Sequence, residues 1–264
     1  MDDPLVLVHG ILGFGQLTLG GINIVSYFRH IPEALRERGY IVPNPPQLNP
    51  TTSIEMRANE LKEYLDAREF RNQYGDRVHI VAHSMGGLDA RYMISLLGMA
   101  DRVLSLTTIG TPHHGSPVAD KLVGNADPIV IALFDKLGVK GVYDLTTKAC
   151  SELNDQCEEQ PGINYFSIAG RFEPDRILGL PQGLLGLTHD YIQMTDGEND
   201  GLVSVDSARF GSDEKRWEFV EYWDANHFRL INWGTNITLQ PSELEDMTIV
   251  ENYLNIVGRV VQKR

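Results

Sequence analysis

Apolar residues fall into short blocks separated by glycine, proline and charged residues, and the period within each block predicts its element. Pro4 to His9 is a short apolar run ending at Gly10, the pattern of a buried strand, and Tyr27 to Arg38 reads as a helix stopped by Gly39. Tyr40-Ile41-Val42 restarts the alternation and runs into the proline-rich Pro43 to Pro50. Thr52 and Glu55 have capping-box spacing and predict a helix from about Ser53 to Tyr74, ended by Gly75-Asp76. An apolar strand from Val78 then leads into a helix marked by Leu88, Tyr92, Met93 and Leu96. Val103 to Ile109, Asn164 to Ala169 and Trp217 to Trp223 read as strands, and Ser242 with Glu245 caps a last helix to about Val261. Strands alternating with helices predict an α/β fold with a mainly parallel central sheet flanked by helices. Ligands on such sheets bind outside the carboxyl ends of the strands.

Within this pattern, Val78-His79-Ile80-Val81-Ala82-His83-Ser84-Met85-Gly86-Gly87 sets one serine at the join of a strand and a helix. The positions two before and two after it, Ala82 and Gly86, are small, as a strand and helix passing at a cramped turn require. This is the spacing of a nucleophile elbow. Alanine where glycine is usual keeps the steric logic. The serine hydroxyl would stand at a helix N-terminus whose free N–H groups favour negative charge.

Composition narrows the field. A chain of 264 residues, 42% hydrophobic and without a linker-like shift, is expected to form one domain over 1–264. A net charge of -13 with no basic cluster argues against nucleic acid and against strong docking on anionic lipid. Cys150 and Cys157, seven positions apart in a polar, helical-looking segment, read as free thiols. No stretch approaches about 18 uncharged apolar residues, and Met-Asp-Asp-Pro runs straight into a strand, so neither a membrane span nor a signal peptide is expected. The compartment stays open between the cytoplasm and a mature secreted form.

A serine hydroxyl needs a histidine to take its proton and a carboxylate to hold that histidine in the right tautomer. Of eight histidines, His227 lies late in the chain, past the strand Trp217 to Trp223 and the turn Asp224-Ala225-Asn226, at a strand's carboxyl end. His79 and His30 read as packing or surface residues, and His83 is expected to point to the opposite side of the strand. For the acid, Asp200 lies in the polar loop Thr195 to Val203, with Asp196 and Asp206 as rivals. Gly201 permits the sharp turn that would aim the Asp200 carboxylate at an imidazole, while a solvated loop without a catalytic acid is the alternative. Acyl transfer also needs two backbone amides facing the developing oxyanion. Met85, directly after the serine, offers one, and Ile11, after His9-Gly10, offers the other unless that dipeptide is only a strand-ending turn.

With these segments in this order, the chain resembles the bacterial family I triacylglycerol lipases of the Proteus, Pseudomonas and Burkholderia type over nearly its whole length. The carriers are Val8-His9-Gly10, Ala82-His83-Ser84-Met85-Gly86-Gly87, Ile109-Gly110-Thr111-Pro112-His113-His114-Gly115-Ser116, Asn199-Asp200-Gly201-Leu202-Val203 and Asn226-His227. The resemblance implies an α/β-hydrolase fold with a helical lid insertion, Ser84 as nucleophile, Asp200 as acid, His227 as base, and the amides of Ile11 and Met85 as the oxyanion hole. Three departures limit the transfer. Where relatives carry a calcium-binding aspartate two residues after the histidine, this chain has Arg229, so that metal site is expected to be missing. Asp206 stands where some relatives have a disulfide cysteine, and the segment between Gly170 and Asp200 is shorter than in the large members.

The region from Pro117 to about Gln160 makes helices over the site in such lipases. Here Pro128 to Phe134, with Leu137, Val139 and Val142, is apolar and flanked by Asp127, Asp135, Lys136 and Lys140, as suits a movable amphipathic cover or a helix packed on the core. Ile177 to Leu187 is a second apolar segment, read as too rich in glycine for a stable helix. The sequence thus points to a serine carboxylic-ester hydrolase, a lipase or esterase acting on lipophilic esters and requiring no metal or organic cofactor. Its alternatives are a thioesterase, phospholipase or acyltransferase on the same triad, or a noncatalytic binding protein on the same scaffold.

Overall fold

Five strands, β1 (Leu5–Val8), β2 (Val78–His83), β3 (Val103–Ile109), β4 (Asn164–Arg171) and β5 (Trp217–Asp224), pair in chain order, and every pair is parallel. The computed structural model describes residues 3–11, 16–19, 22–124, 140–177, 179–181, 183–211, 216–233 and 247–262. Parallel neighbours need crossovers, and those used here carry helices: α1 (Ile31–Glu37), α2 (Ile54–Asp66), α3 (Arg68–Tyr74), α4 (Met85–Leu96), α5 (Pro117–Gly124), α6 (Thr147–Gln156) and α7 (Gly183–Thr195), while α8 (Met247–Gln262) follows the last strand. The two sheet faces carry separate cores. Leu5, Leu7, Val81 and Ile109 pack with Ile31 of α1 and Val257 of α8, whereas Val6, Val8, Ile80 and Ala82 pack with Leu61 of α2 and Met93 of α4. Because both faces are covered, β1 is wholly apolar and buried and β2 nearly so, whereas the edge strand β5 mixes apolar with charged residues.

Several boundaries differ from the sequence reading, each for a local reason. Pro32 fits only within the first turn of α1, so the helix begins at Ile31, and Tyr27 and Phe28 lie before it as buried residues. Tyr40 to Val42 form no strand; the Ile41 carbonyl accepts from the Leu5 amide at 2.8 Å, and the prolines beyond cannot donate to a ladder. The Thr52–Glu55 capping box is not formed, because Ser53 caps α2 and accepts from the Met56 amide. The single helix expected to Tyr74 breaks at Ala67, where the Arg102 guanidinium donates to the Leu65 carbonyl at 2.9 Å and takes that acceptor from the helix.

The glycine-rich segment does enter a helix. In α7 a methyl group on Gly186 would lie 3.0 Å from the Pro181 Cβ, so the glycine serves a close approach, while His189 and Ile192 bury the helix further on. The last helix is α8, and its expected caps, Ser242 and Glu245, lie outside the described residues. Cys150 and Cys157 are buried and unbridged. Among the described residues, no helix is long and apolar enough to cross a membrane.

Candidate active site

The join between β2 and α4 holds Ser84 at φ 56 and ψ -132, a backbone conformation that a residue with a side chain adopts only under constraint. Small neighbours make the turn feasible. A methyl group on Gly86 would lie 2.8 Å from the carbonyl oxygens of both Val8 and His9, so α4 can pass the end of β1 only with glycine there. The Thr111 hydroxyl donates to the Ser84 carbonyl at 2.8 Å and fixes the turn from the β3 side.

Beyond β5, the turn Ala225-Asn226 carries His227 back over the strand ends. Its Nε2 lies 3.0 Å from Ser84 Oγ and its Nδ1 lies 2.7 Å from Asp200 Oδ2. A carboxylate can only accept, so Nδ1 carries the proton and Nε2 is left to accept from the serine hydroxyl. Asp200 is fully buried, and its second oxygen accepts from the amides of Leu202 at 2.9 Å and Val203 at 2.8 Å. Gly201, at φ 96, makes that tight return possible. The rivals Asp196 and Asp206 are exposed.

The other histidines have separate fates. His79 Nδ1 lies 2.7 Å from the Ser105 hydroxyl within the sheet, and His30 is exposed at the start of α1. His83 does not point away from the histidine loop. Its ring centroid is 4.6 Å from that of His227, because His83 shares the sheet face of Val81, over which the segment with Leu230 and Ile231 folds. Burial, and then the neighbouring His227, push the His83 imidazole well below its usual value and keep it neutral.

The Ile11 and Met85 side chains belong to one apolar cluster and both flank Gly141, where a methyl group would lie 3.0 Å from the Ile11 Cδ1 and from the Met85 Cε. The loop before Ile11 is held by buried groups. Arg57, fully buried, donates to the Asp89 carboxylate and the Asn49 carbonyl at 2.8 Å and to the His9 carbonyl at 2.6 Å. The Leu48 amide donates to His9 Nε2 at 3.2 Å, which leaves the proton on Nδ1, 2.9 Å from the Gly10 carbonyl. Burial, followed by the Arg57 charge, lowers the His9 imidazole to about 4 and keeps it neutral. Burial raises the Asp89 carboxyl to about 7 against the pull of Arg57.

The sequence reading missed Arg57 and Asp89. Arg57 had a signal, because it falls on the same helical stripe as Ile54, Ala58 and Leu61, where a cation needs a buried partner. A cavity of about 840 Å³ flanks the acid and histidine loops, between Phe172, Leu185, His189, Ala225 and Phe228.

Residues 3–136, half of the chain, match the family model described as the alpha/beta hydrolase fold. The chain is an α/β hydrolase. Over 233 residues this α/β hydrolase is 31% identical to a protein named Triacylglycerol lipase 2 from Saccharomyces cerevisiae, covering 80% of this chain and 66% of that one. It is 30% identical over 250 residues to a triacylglycerol lipase from Vibrio cholerae, covering 79% of this chain and 74% of that one. The mature form of the Bacillus licheniformis lipase BlEst2 superposes with a TM-score of 0.67 at 27% identity, covering 87% of this chain and 86% of that one. These similarities put the chain among the lipases of the α/β-hydrolase fold.

Proposed function

We propose that this α/β hydrolase is a serine carboxylic-ester hydrolase, a lipase acting on acylglycerols or other lipophilic esters. The observation that carries the reading is the proton relay from Ser84 Oγ, 3.0 Å from His227 Nε2, to His227 Nδ1, 2.7 Å from Asp200. Ser84 attacks the ester carbonyl while His227 takes its proton, and Asp200 stabilises the imidazolium. The same proton then passes to the departing alkoxide, leaving an acyl group on Ser84. Water, deprotonated by His227, releases the acid and restores the serine. The amides of Ile11 and Met85 would receive the charge on the carbonyl oxygen, each contributing a few kcal/mol in the transition state. This chemistry requires no metal or organic cofactor.

The reading extends to a cover over the site. Residues 117–160 would form a lid within a single domain spanning 1–264. Of this region, α5, the short helix Gly141–Asp144 and α6 are described, while the apolar stretch from Pro128 to Val139 lies outside the described residues. The resemblance to the Proteus, Pseudomonas and Burkholderia lipases is the finer proposal, supported by the motifs around Ser84, Gly110, Asp200 and His227.

Steady-state hydrolysis of p-nitrophenyl esters of graded chain length, dissolved and emulsified, tests the proposal. Wild type is expected to turn them over, to favour longer chains and to accelerate at an emulsion, while Ser84→Ala is inactive. Full activity in a correctly folded Ser84→Ala protein contradicts the mechanism.

A further inference from the structure

We propose that Tyr27 is a positioning residue for ester hydrolysis: its buried hydroxyl joins the Gly10 amide to the His83 imidazole and so holds the Gly10–Ile11 peptide in register with Ser84. The inference rests on the hydrolase reading above and deepens it. The Gly10 amide donates to the Tyr27 oxygen at 3.1 Å, and that oxygen lies 2.8 Å from His83 Nδ1. Gly10 is wedged between the phenol and the nucleophile, since a methyl group on it would lie 3.0 Å from the Tyr27 oxygen and 2.7 Å from the Ser84 Cβ.

The backbone around Tyr27 is tied to a third part of the site. The Trp233 indole donates to the Tyr27 carbonyl at 2.8 Å, and the Arg29 amide donates to the Ile231 carbonyl at 3.2 Å. Tyr27 therefore meets the loop before Ile11, the residue before Ser84 and the segment after His227. It has no proton to give or take in the reaction, because burial raises its phenol above the usual value and keeps it protonated.

The effect on Ile11 follows from peptide geometry. The Gly10 carbonyl is held by His9 Nδ1 at 2.9 Å, and in a trans peptide the next amide points the opposite way. With Tyr27 on the Gly10 amide and His9 on its carbonyl, a residue free to visit many backbone conformations is held in one, and the Ile11 amide is aimed with it. An oxyanion contact gains its strength in the transition state, so loosening it lowers kcat and leaves KM.

Tyr27→Phe keeps the ring against His9, Phe28 and His83 and removes only the hydroxyl. On a soluble p-nitrophenyl ester, kcat is expected to fall about tenfold with KM within about twofold. An alkyl trifluoromethyl ketone, which adds Ser84 Oγ to its carbonyl and forms a hemiketal oxyanion, should weaken by the factor lost in kcat/KM. The matching secondary alcohol, which forms no oxyanion, should bind as before. Wild-type kcat in the variant overturns the proposal, as does equal weakening of ketone and alcohol, which marks a structural role. Should Tyr27→Phe fail to fold, His83→Leu removes the hydroxyl's other partner, and the same split between kcat and KM is expected. Fluorophosphonate labelling of the wild type separates the two readings. An unlabelled Ser84 sinks the hydrolase reading and this one together, whereas a labelled Ser84 with an unimpaired variant sinks this one alone.

Discussion

Asp200 and His227 are joined twice, once through side chains, with Oδ2 2.7 Å from Nδ1, and once through backbone, with the His227 amide donating to the Asp200 carbonyl at 2.8 Å. The second bond sets the two loops in register before any side chain acts. Asp200→Asn should therefore keep the loops together while removing the charge and reversing a hydrogen bond. An amide nitrogen facing His227 favours the wrong tautomer, so kcat is expected to fall by about three to four orders of magnitude with little change in KM. Steady-state kinetics on a soluble ester checks this, and a loss below tenfold would count against Asp200 as the partner of His227.

Gly110 has a narrower task. At φ 57 it turns the chain out of β3, and a methyl group there would lie 2.7 Å from the Leu230 Cδ1 and 3.1 Å from Asp200 Oδ2. Gly110→Ala is expected to cost about 2 kcal/mol or more and to displace the carboxylate, lowering both the melting temperature and kcat. Calorimetry and kinetics on the same preparation test it, and a variant equal to wild type in both would contradict this packing.

Much of this was legible in the sequence because it is local. The strain at Ser84 is announced by Ala82 and Gly86, the turn at Asp200 by Gly201, and the two-faced sheet by the apolar runs at Leu5 to Val8 and Ile80 to Ala82. What escaped depends on distant partners. The break at Ala67 follows from Arg102 reaching the Leu65 carbonyl, and the turn of His83 toward His227 follows from which sheet face the last loop covers. Tyr27 and Arg57 act through backbone atoms of His9 and Gly10, which no spacing of side chains reveals.

The His9 imidazole, held to about 4 by burial, gives stability a dependence on pH. In the unfolded chain a histidine protonates below about 6.5, so between these values the unfolded state binds the extra proton and folding weakens as pH falls. The contribution is complete above about 6.5 and amounts to about 3 kcal/mol across the window. His9→Gln should remove this dependence, so its urea-unfolding free energy is expected to fall less than that of wild type between about pH 7 and pH 4. Parallel decline of the two proteins would contradict a neutral, buried His9.

The relay from Ser84 through His227 to Asp200 is tested most directly by trapping its covalent product. Wild type mixed with a long-chain p-nitrophenyl ester, quenched in acid within the first turnover and digested, is expected to yield the peptide containing Ser84 heavier by one acyl group. Ser84→Ala should yield none. Rapid ester cleavage by the wild type with that peptide unmodified, or with the acyl group on another residue, would contradict the account.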